Sequence, residues 1–263
     1  MQKFYVISDV HGYYDEMKVA LNEAGFDPNN ENHWLISCGD HLDRGDQPQE
    51  VIDYLTSLPR KILIKGNHED LLMKCIEHGY FLSHDWSNGT AQTIIDLAPN
   101  AMLFEVCCAV AYEKVKDFVG SMVNYFETEN YIFVHSWIPL IADDDLPPYY
   151  TKDRKFSMMD NWREATDKEW QDARWGNPFD MAEKGLMPDK HIVFGHWSCS
   201  DAWAQLEGRN KYDDNAKFDI FYDEGFTAVD ACTALSKTVN VLVLEDNFME
   251  EQNDSFLSKA FEG

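Results

Sequence analysis

Five apolar, strand-like runs in this chain each end in a cluster of side chains that bind metals. Residues 3–8 lead into Asp9-Val10-His11-Gly12, and residues 34–38 into Gly39-Asp40-His41-Leu42-Asp43-Arg44-Gly45. Residues 62–65 lead into Gly66-Asn67-His68-Glu69-Asp70, residues 131–134 into His135, and residues 191–194 into Gly195-His196. Between the first two runs, Met17, Ala20, Leu21 and Ala24 recur at helical spacing and Gly25 follows as a stop. Asp46-Gln47-Pro48 opens another helix, with proline in its first turn. Strand, polar loop and helix in repetition predict an α/β fold. Sites in such folds form at the carboxyl ends of strands, so the five clusters are expected to meet.

The rest of the chain is read around that pattern. Residues 69–126 are expected to be mostly helical, and 136–189 form an aromatic stretch rich in proline and aspartate. Residues 226–230 and 239–245 read as a closing pair of strands, and 246–263 as an acidic surface helix or loose tail. The expected organisation is one domain over residues 1–263, with a helical insertion at about 80–128 and an aromatic-rich segment at about 137–190. A chain of 263 residues buries enough surface to fold without disulfides or a structural metal.

Charge narrows the partners. Twenty-two basic against 47 acidic residues leave a net charge of −25. That makes a nucleic-acid backbone or an anionic membrane an unfavourable partner, although bound cations would offset part of it near an anionic substrate. No run of 18 apolar residues is present, so no membrane span is expected. The six cysteines form no C-x-x-C pair and read as reduced, buried thiols. Met1-Gln2-Lys3 runs straight into a strand without a signal-peptide pattern. The expected location is therefore cytoplasmic, where the sequons at Asn88 and Asn253 carry no meaning.

Asp9, His11, Asp40, Asn67, His135 and His196 are the candidate ligands: two carboxylates, one amide oxygen and three imidazoles. That mixture suits Mn or Fe first, with Zn, Co or Ni open, and does not suit calcium. Six protein ligands are too many for one catalytic ion that must keep open positions. They suit two ions sharing a carboxylate, about 3.5–4 Å apart, which can hold a hydroxide in line with a phosphorus atom.

Taken together and in this order, Asp9-x-His11-Gly12, Gly39-Asp40-x-x-Asp43-Arg44-Gly45, Gly66-Asn67-His68-Glu69, Val134-His135 and Gly195-His196 resemble the metallophosphoesterase superfamily. The second and third blocks are similar to its phosphoprotein-phosphatase branch, which includes bacterial and phage-type serine/threonine phosphatases. The diadenosine-tetraphosphate hydrolases share those blocks. The resemblance implies a four-layer αββα sandwich, two mixed sheets flanked by helices. It assigns Asp9 and His11 to one ion, Asp40 to both, and Asn67, His135 and His196 to the second. It makes His68 the general acid, with Asp43 hydrogen-bonded to it, and Arg44 a clamp on phosphate oxygens.

Four places depart from the pattern. His41 stands where an aromatic such as Tyr is common, and reads as a surface residue or a substrate contact. Trp197 follows His196 where Thr is common, and Ser136-Trp137 replaces Ala-Gly after His135, both adding bulk near the second ion. The second phosphate-clamping arginine is missing from its usual place after a Trp, where Asn177 stands; Arg174 is the substitute candidate and Arg163 a weaker one. Trp162, Trp170, Trp175, Trp197 and Trp203 read as core or as a wall that stacks a nucleobase.

The leading expectation is a metal-dependent phosphatase acting on phosphomonoesters, plausibly phosphoserine or phosphothreonine in proteins. The alternative is a dinucleoside polyphosphate or nucleotide hydrolase using the same site. An inactive binding module and a nucleic-acid phosphodiesterase are minor alternatives.

Overall fold

The computed structural model describes residues 1–208 and 210–249. The chain begins β1 (Gln2–Ile7), α1 (Tyr14–Glu23), β2 (His33–Ser37), α2 (Pro48–Ser57) and β3 (Lys61–Leu63). Four helices follow: α3 (Asn67–His78), α4 (Ser83–Asn88), α5 (Thr90–Leu97) and α6 (Phe104–Gly120). Then come β4 (Tyr125–Glu127), β5 (Tyr131–Val134) and a short ribbon of β6 (Leu140–Ala142) and β7 (Phe156–Met158). Next are α7 (Asp167–Ala173), α8 (Pro178–Glu183), β8 (His191–Phe194) and α9 (Cys199–Glu207). The closing elements are β9 (Phe221–Tyr222), β10 (Phe226–Ala228), α10 (Thr233–Ser236) and β11 (Leu242–Asp246).

The strands make two mixed sheets, ordered β11-β1-β2-β3 and β4-β5-β8-β10-β9. In the first, β1, β2 and β3 run parallel with β11 antiparallel at one edge; in the second, β5, β8 and β10 run parallel between the antiparallel edge strands β4 and β9. Alternation along the central strands sorts side chains into layers. Phe4, Val6, Trp34 and Ile36 point from the first sheet toward Phe126, Phe133 and Val193 of the second, and these form the core between the sheets. Tyr5, Ile7 and Leu35 point the other way, into a core shared with Leu21, Leu55, Leu72 and Ala111 of the covering helices. Ile132, Val134, Ile192 and Phe194 do the same on the outer face of the second sheet, with Trp170 and Phe179. Burial on both faces is why the central runs are apolar at successive positions. The result is the expected αββα sandwich.

Four expectations need correction. Residues 69–126 are not helical to their end, because Tyr125–Glu127 pairs antiparallel with β5 as an edge strand, a segment too short to show periodicity. Residues 226–230 and 239–245 do supply two closing strands, but in different sheets and with shorter or shifted bounds: β10 lies between β8 and β9, and β11 lies beside β1. The β6–β7 ribbon and β9 went unforeseen inside irregular sequence. Asp246, assigned to the tail, ends β11 and accepts hydrogen bonds from the Asn130 backbone and side chain; the rest of the expected tail lies outside the described residues from 250 onward. All six cysteines are free thiols, five of them buried. Among the described residues no helix is long and apolar enough to cross a membrane.

Candidate metal centre

The loops that leave β1, β2, β3, β5 and β8 converge at one end of the sandwich. Asp9 NH donates to the Gly39 carbonyl, His11 NH to the Asp40 carbonyl, and Gly195 NH to the His135 carbonyl. Asp9 Oδ2 accepts from the His196 backbone at 2.8 Å and from the Ser8 hydroxyl. Asp40 Oδ1 accepts the His68 NH at 3.0 Å, so its charge sits against the N-terminus of α3. Glu69 ties two loops together: it accepts the backbone NH of Asp40, His41 and Gly66.

This convergence is bought with backbone strain. Eight non-glycine residues among those described have positive φ, and six of them are Asp9, His11, Asp40, Asp43, Arg44 and His196. Such conformations cost energy and persist where surrounding structure enforces them. Gly66 is required by close approach, since a β-carbon there would collide with the Asp40 carboxylate and backbone.

Two groups of ligand atoms result, His11/Asp40/His68 and Asp40/His135/His196, and Asp40 stands in both. His11 Nε2 lies 3.7 Å from Asp40 Oδ2 and 3.9 Å from Asp9 Oδ1. His135 Nε2 lies 3.4 Å from Asp40 Oδ1 and 2.8 Å from Asn67 Oδ1. Carbonyls fix two of the rings: His11 Nδ1 donates to Leu42 at 2.9 Å, and His135 Nδ1 donates to Cys38 at 2.8 Å. Each ring therefore presents a bare Nε2 inward.

These residues fit a bound cation. Burial lowers the pKa of His11, His135 and His196, which keeps the imidazoles in the neutral form that binds metal. With Nδ1 donating, His135 Nε2 and Asn67 Oδ1 meet as two acceptors at 2.8 Å, a pairing that a cation bound beside both would relieve. Burial, then Asp230 and Asp40, raises the pKa of Asp9, the mark of several carboxylates crowded without a counter-ion.

On the rim, His68 Nδ1 donates to Asp43 Oδ2 at 2.7 Å, and the same oxygen accepts the Thr90 hydroxyl at 2.6 Å. Burial works to discharge His68, but the charge of Asp40 and the bond to Asp43 outweigh it and its pKa is raised. Arg44 Nη1 donates to His11 Nε2 at 2.8 Å, and Nη2 lies 3.1 Å from His68 Nε2. A guanidinium fork, an imidazole able to carry a proton and a cation-binding cluster thus face one space. That set can bind a phosphate, neutralise it and protonate a leaving oxygen.

The substrate-contact candidates fare differently. His41 is fully buried rather than on the surface; its Nδ1 lies 3.2 Å from Glu69 Oε1 and its ring meets Phe118 edge-on. It supports the loop from behind. Arg174 is buried, donating to Asp70 and Asn124 at 2.8 Å each, which commits its guanidinium to the protein. Arg163 is paired with Glu127 and Asp189, and Asn177 caps α8 by accepting the Phe179 NH. None of the three is a free phosphate clamp. Trp162 and Trp170 are core, and the Trp203 ring carries Lys217 on its face. Trp175 and Trp197 are only half-buried beside His196.

Ser8, Glu69, Thr90 and Asp230 were not foreseen. Burial pushes Asp230 up to about 7, and its charge acts on Asp9. It directly follows an apolar run, so the strand-end rule that found the other ligands also points to it. Glu69 lies in an already noted block. Thr90, 47 residues from Asp43, carried no local signal.

Residues 2–229 match the sequence profile of the calcineurin-like phosphoesterases. The chain is similar to the symmetrical bis(5'-nucleosyl)-tetraphosphatase of Hamiltonella defensa, 25% identical across 74% of this chain and 82% of that protein. The enzyme of that name from Klebsiella pneumoniae (strain 342) is 42% identical over 66 residues, 25% of this chain and 23% of its own length. Among solved structures, the cold-active protein-tyrosine phosphatase of a psychrophilic Shewanella superposes with a TM-score of 0.56 at 16% identity, covering 94% of this chain and 76% of that one. That likeness is one of fold.

Proposed function

The chain belongs to the calcineurin-like phosphoesterase family, and on that premise we propose that it hydrolyses dinucleoside polyphosphates at a centre of two metal ions. The observation that carries the chemistry is Asp40, whose Oδ2 lies 3.7 Å from His11 Nε2 and whose Oδ1 lies 3.4 Å from His135 Nε2, while His68 and Arg44 face the same space. The substrate class rests on the Hamiltonella relative, whose similarity extends over most of its length.

In this reading Asp9, His11 and Asp40 hold one ion, and Asp40, Asn67, His135 and His196 hold the other. When bound, the ions, Mn or Fe by donor chemistry, supply Lewis-acid charge and acidify water. The chain's own groups do the rest. Arg44 grips phosphate oxygens with its fork. His68 Nε2 gives a proton to the leaving oxygen, and Asp43, held by Thr90, keeps the ring in the donating orientation. The carbonyls of Leu42 and Cys38 keep His11 and His135 in the tautomer that leaves Nε2 free.

A second reading, phosphoserine or phosphothreonine in proteins, rests on the similarity of the Gly39–Gly45 and Gly66–Asp70 blocks to the phosphoprotein-phosphatase branch, blocks that the diadenosine-tetraphosphate hydrolases share, and it uses the same groups. Phosphate release by metal-stripped, Mn-reloaded protein from diadenosine tetraphosphate and a phosphopeptide, side by side, separates the two. A higher kcat/KM for the dinucleotide is expected, and a preference for the phosphopeptide overturns the proposal. His68→Asn is expected to retain both ions by elemental analysis and to lose at least about 10²-fold in turnover, the scale of general acid–base catalysis.

A further inference from the structure

A cleft of about 860 Å³ has none of the candidate metal ligands in its lining but reaches the neighbour of one of them. Trp197, next in the chain to His196, lines it, and Tyr149 and Tyr150 face it from the loop between β6 and β7. Ring contacts link His196 to these tyrosines through Trp175, which lies outside the cleft lining. Trp175 stands edge-on to His196 with centroids 6.4 Å apart, Tyr149 edge-on to Trp175 at 6.5 Å, and Tyr150 lies 4.8 Å from Tyr149. Both tyrosines are more than half exposed, at 55% and 56%.

Five carboxylates and three basic side chains line the cleft, so its net charge is negative. Arg154 pairs with Asp144 at 2.7 Å, Lys211 pairs with Asp201, and Asp180 accepts the Thr151 hydroxyl. The cleft therefore offers ring faces rather than a cluster of unpaired cations. An extended polyphosphate would find little there, whereas a flat, uncharged aromatic group would find stacking partners. Its volume is within the range of small-molecule sites.

We propose that this cleft holds the base of a nucleoside phosphate, stacked among Tyr149, Tyr150 and Trp197, while the phosphate lies at Arg44 and the metal centre. The assignment rests on the phosphoester reading above and adds where the nucleoside is recognised. It also explains the bulk of Trp197 beside His196: a ring there closes the junction between the two parts of the site.

Calorimetric binding to the metal-loaded full chain tests this, with adenosine monophosphate and inorganic phosphate as probes. The expected result is at least tenfold tighter binding of the nucleotide, that is about 1.4 kcal/mol. Replacing both rings, Tyr149→Ala with Tyr150→Ala, is expected to reduce the nucleotide-to-phosphate affinity ratio about fivefold or more. Tyr149→Phe with Tyr150→Phe is expected to keep the ratio, because stacking needs the ring and not the hydroxyl. Equal affinity for the two probes, or a ratio unmoved by the alanine pair, overturns the proposal. Hydrolysis by the unaltered protein is read separately. Cleavage of diadenosine tetraphosphate together with an unmoved ratio removes the cleft assignment alone, and cleavage of the phosphopeptide only removes the substrate reading beneath it.

Discussion

At the residue scale, the site is governed by crowded carboxylates and neutral imidazoles. Asp230 shows the consequence most directly. Burial raises its pKa in the folded protein from 3.8 to about 7. The unfolded chain gives up this proton at lower pH than the folded one, so folding favours the protonated form. The contribution to stability is complete below about pH 4 and is lost as pH rises to about 7. Asp230→Asn removes the titration, and the amide oxygen can still accept the Cys232 NH that Asp230 accepts at 2.6 Å. In metal-stripped protein this variant is expected to raise Tm, and by more at pH 7.5 than at pH 4.5. Equal gains at the two pH values would show that the carboxylate is not held in this raised state.

At the scale of elements, the helical region after β3 takes part in the site. Gly89, with φ of +88°, and Thr90 sit where α4 gives way to α5, and a β-carbon on Gly89 would meet the Arg44 backbone. The Thr90 hydroxyl shares Asp43 Oδ2 with His68. Thr90→Val keeps the shape and removes the donor, leaving a buried carboxylate with one partner fewer. A loss of about 1–3 kcal/mol in stability is expected, with lower kcat because the ring of His68 is held less firmly. Unchanged denaturant midpoint and turnover would make the bond incidental. Helix α1 was legible from its apolar periodicity, α2 from the proline in its first turn, and the central strands as continuous apolar runs that end in polar clusters. Edge strand β4 and ribbon β6–β7 were not, since three residues hold too few repeats to show a period.

At the scale of the whole molecule, cation binding and stability are linked. The net charge of −25 includes carboxylates drawn together at one end of the two sheets. An ion that binds only the folded chain stabilises it by about 2.7 kcal/mol at a concentration 100 times its Kd. For a chain of this size that corresponds to a rise in Tm of about 5–10 °C. Thermal unfolding of stripped protein with and without Mn measures it, and the absence of a shift would remove the metal centre. In the proposed reading the acidity stays compatible with an anionic substrate, because Arg44 and bound ions would set the local charge where phosphate would lie.

The sequence alone determined the α/β class, the sandwich through its resemblance, and the six candidate ligands with Asp43, Arg44 and His68. Each stands at the end of an apolar run, and a strand of known direction carries its last residues to a known edge of the sheet. Only the tertiary structure decided what the other polar residues do. His41 and Arg174 read as substrate contacts by their neighbours in sequence, but in three dimensions they meet Glu69, Asp70 and Asn124 and support the site from within. Thr90 reads as nothing and reaches Asp43 across 47 residues. The aromatic stretch divides the same way, with Trp162 and Trp170 in the core and Trp175 and Trp197 beside the metal centre. Hydropathy ranks these rings alike; only the path of the chain over the second sheet decides which of them are packed under its helices and which stand beside His196, Trp197 also lining the cleft.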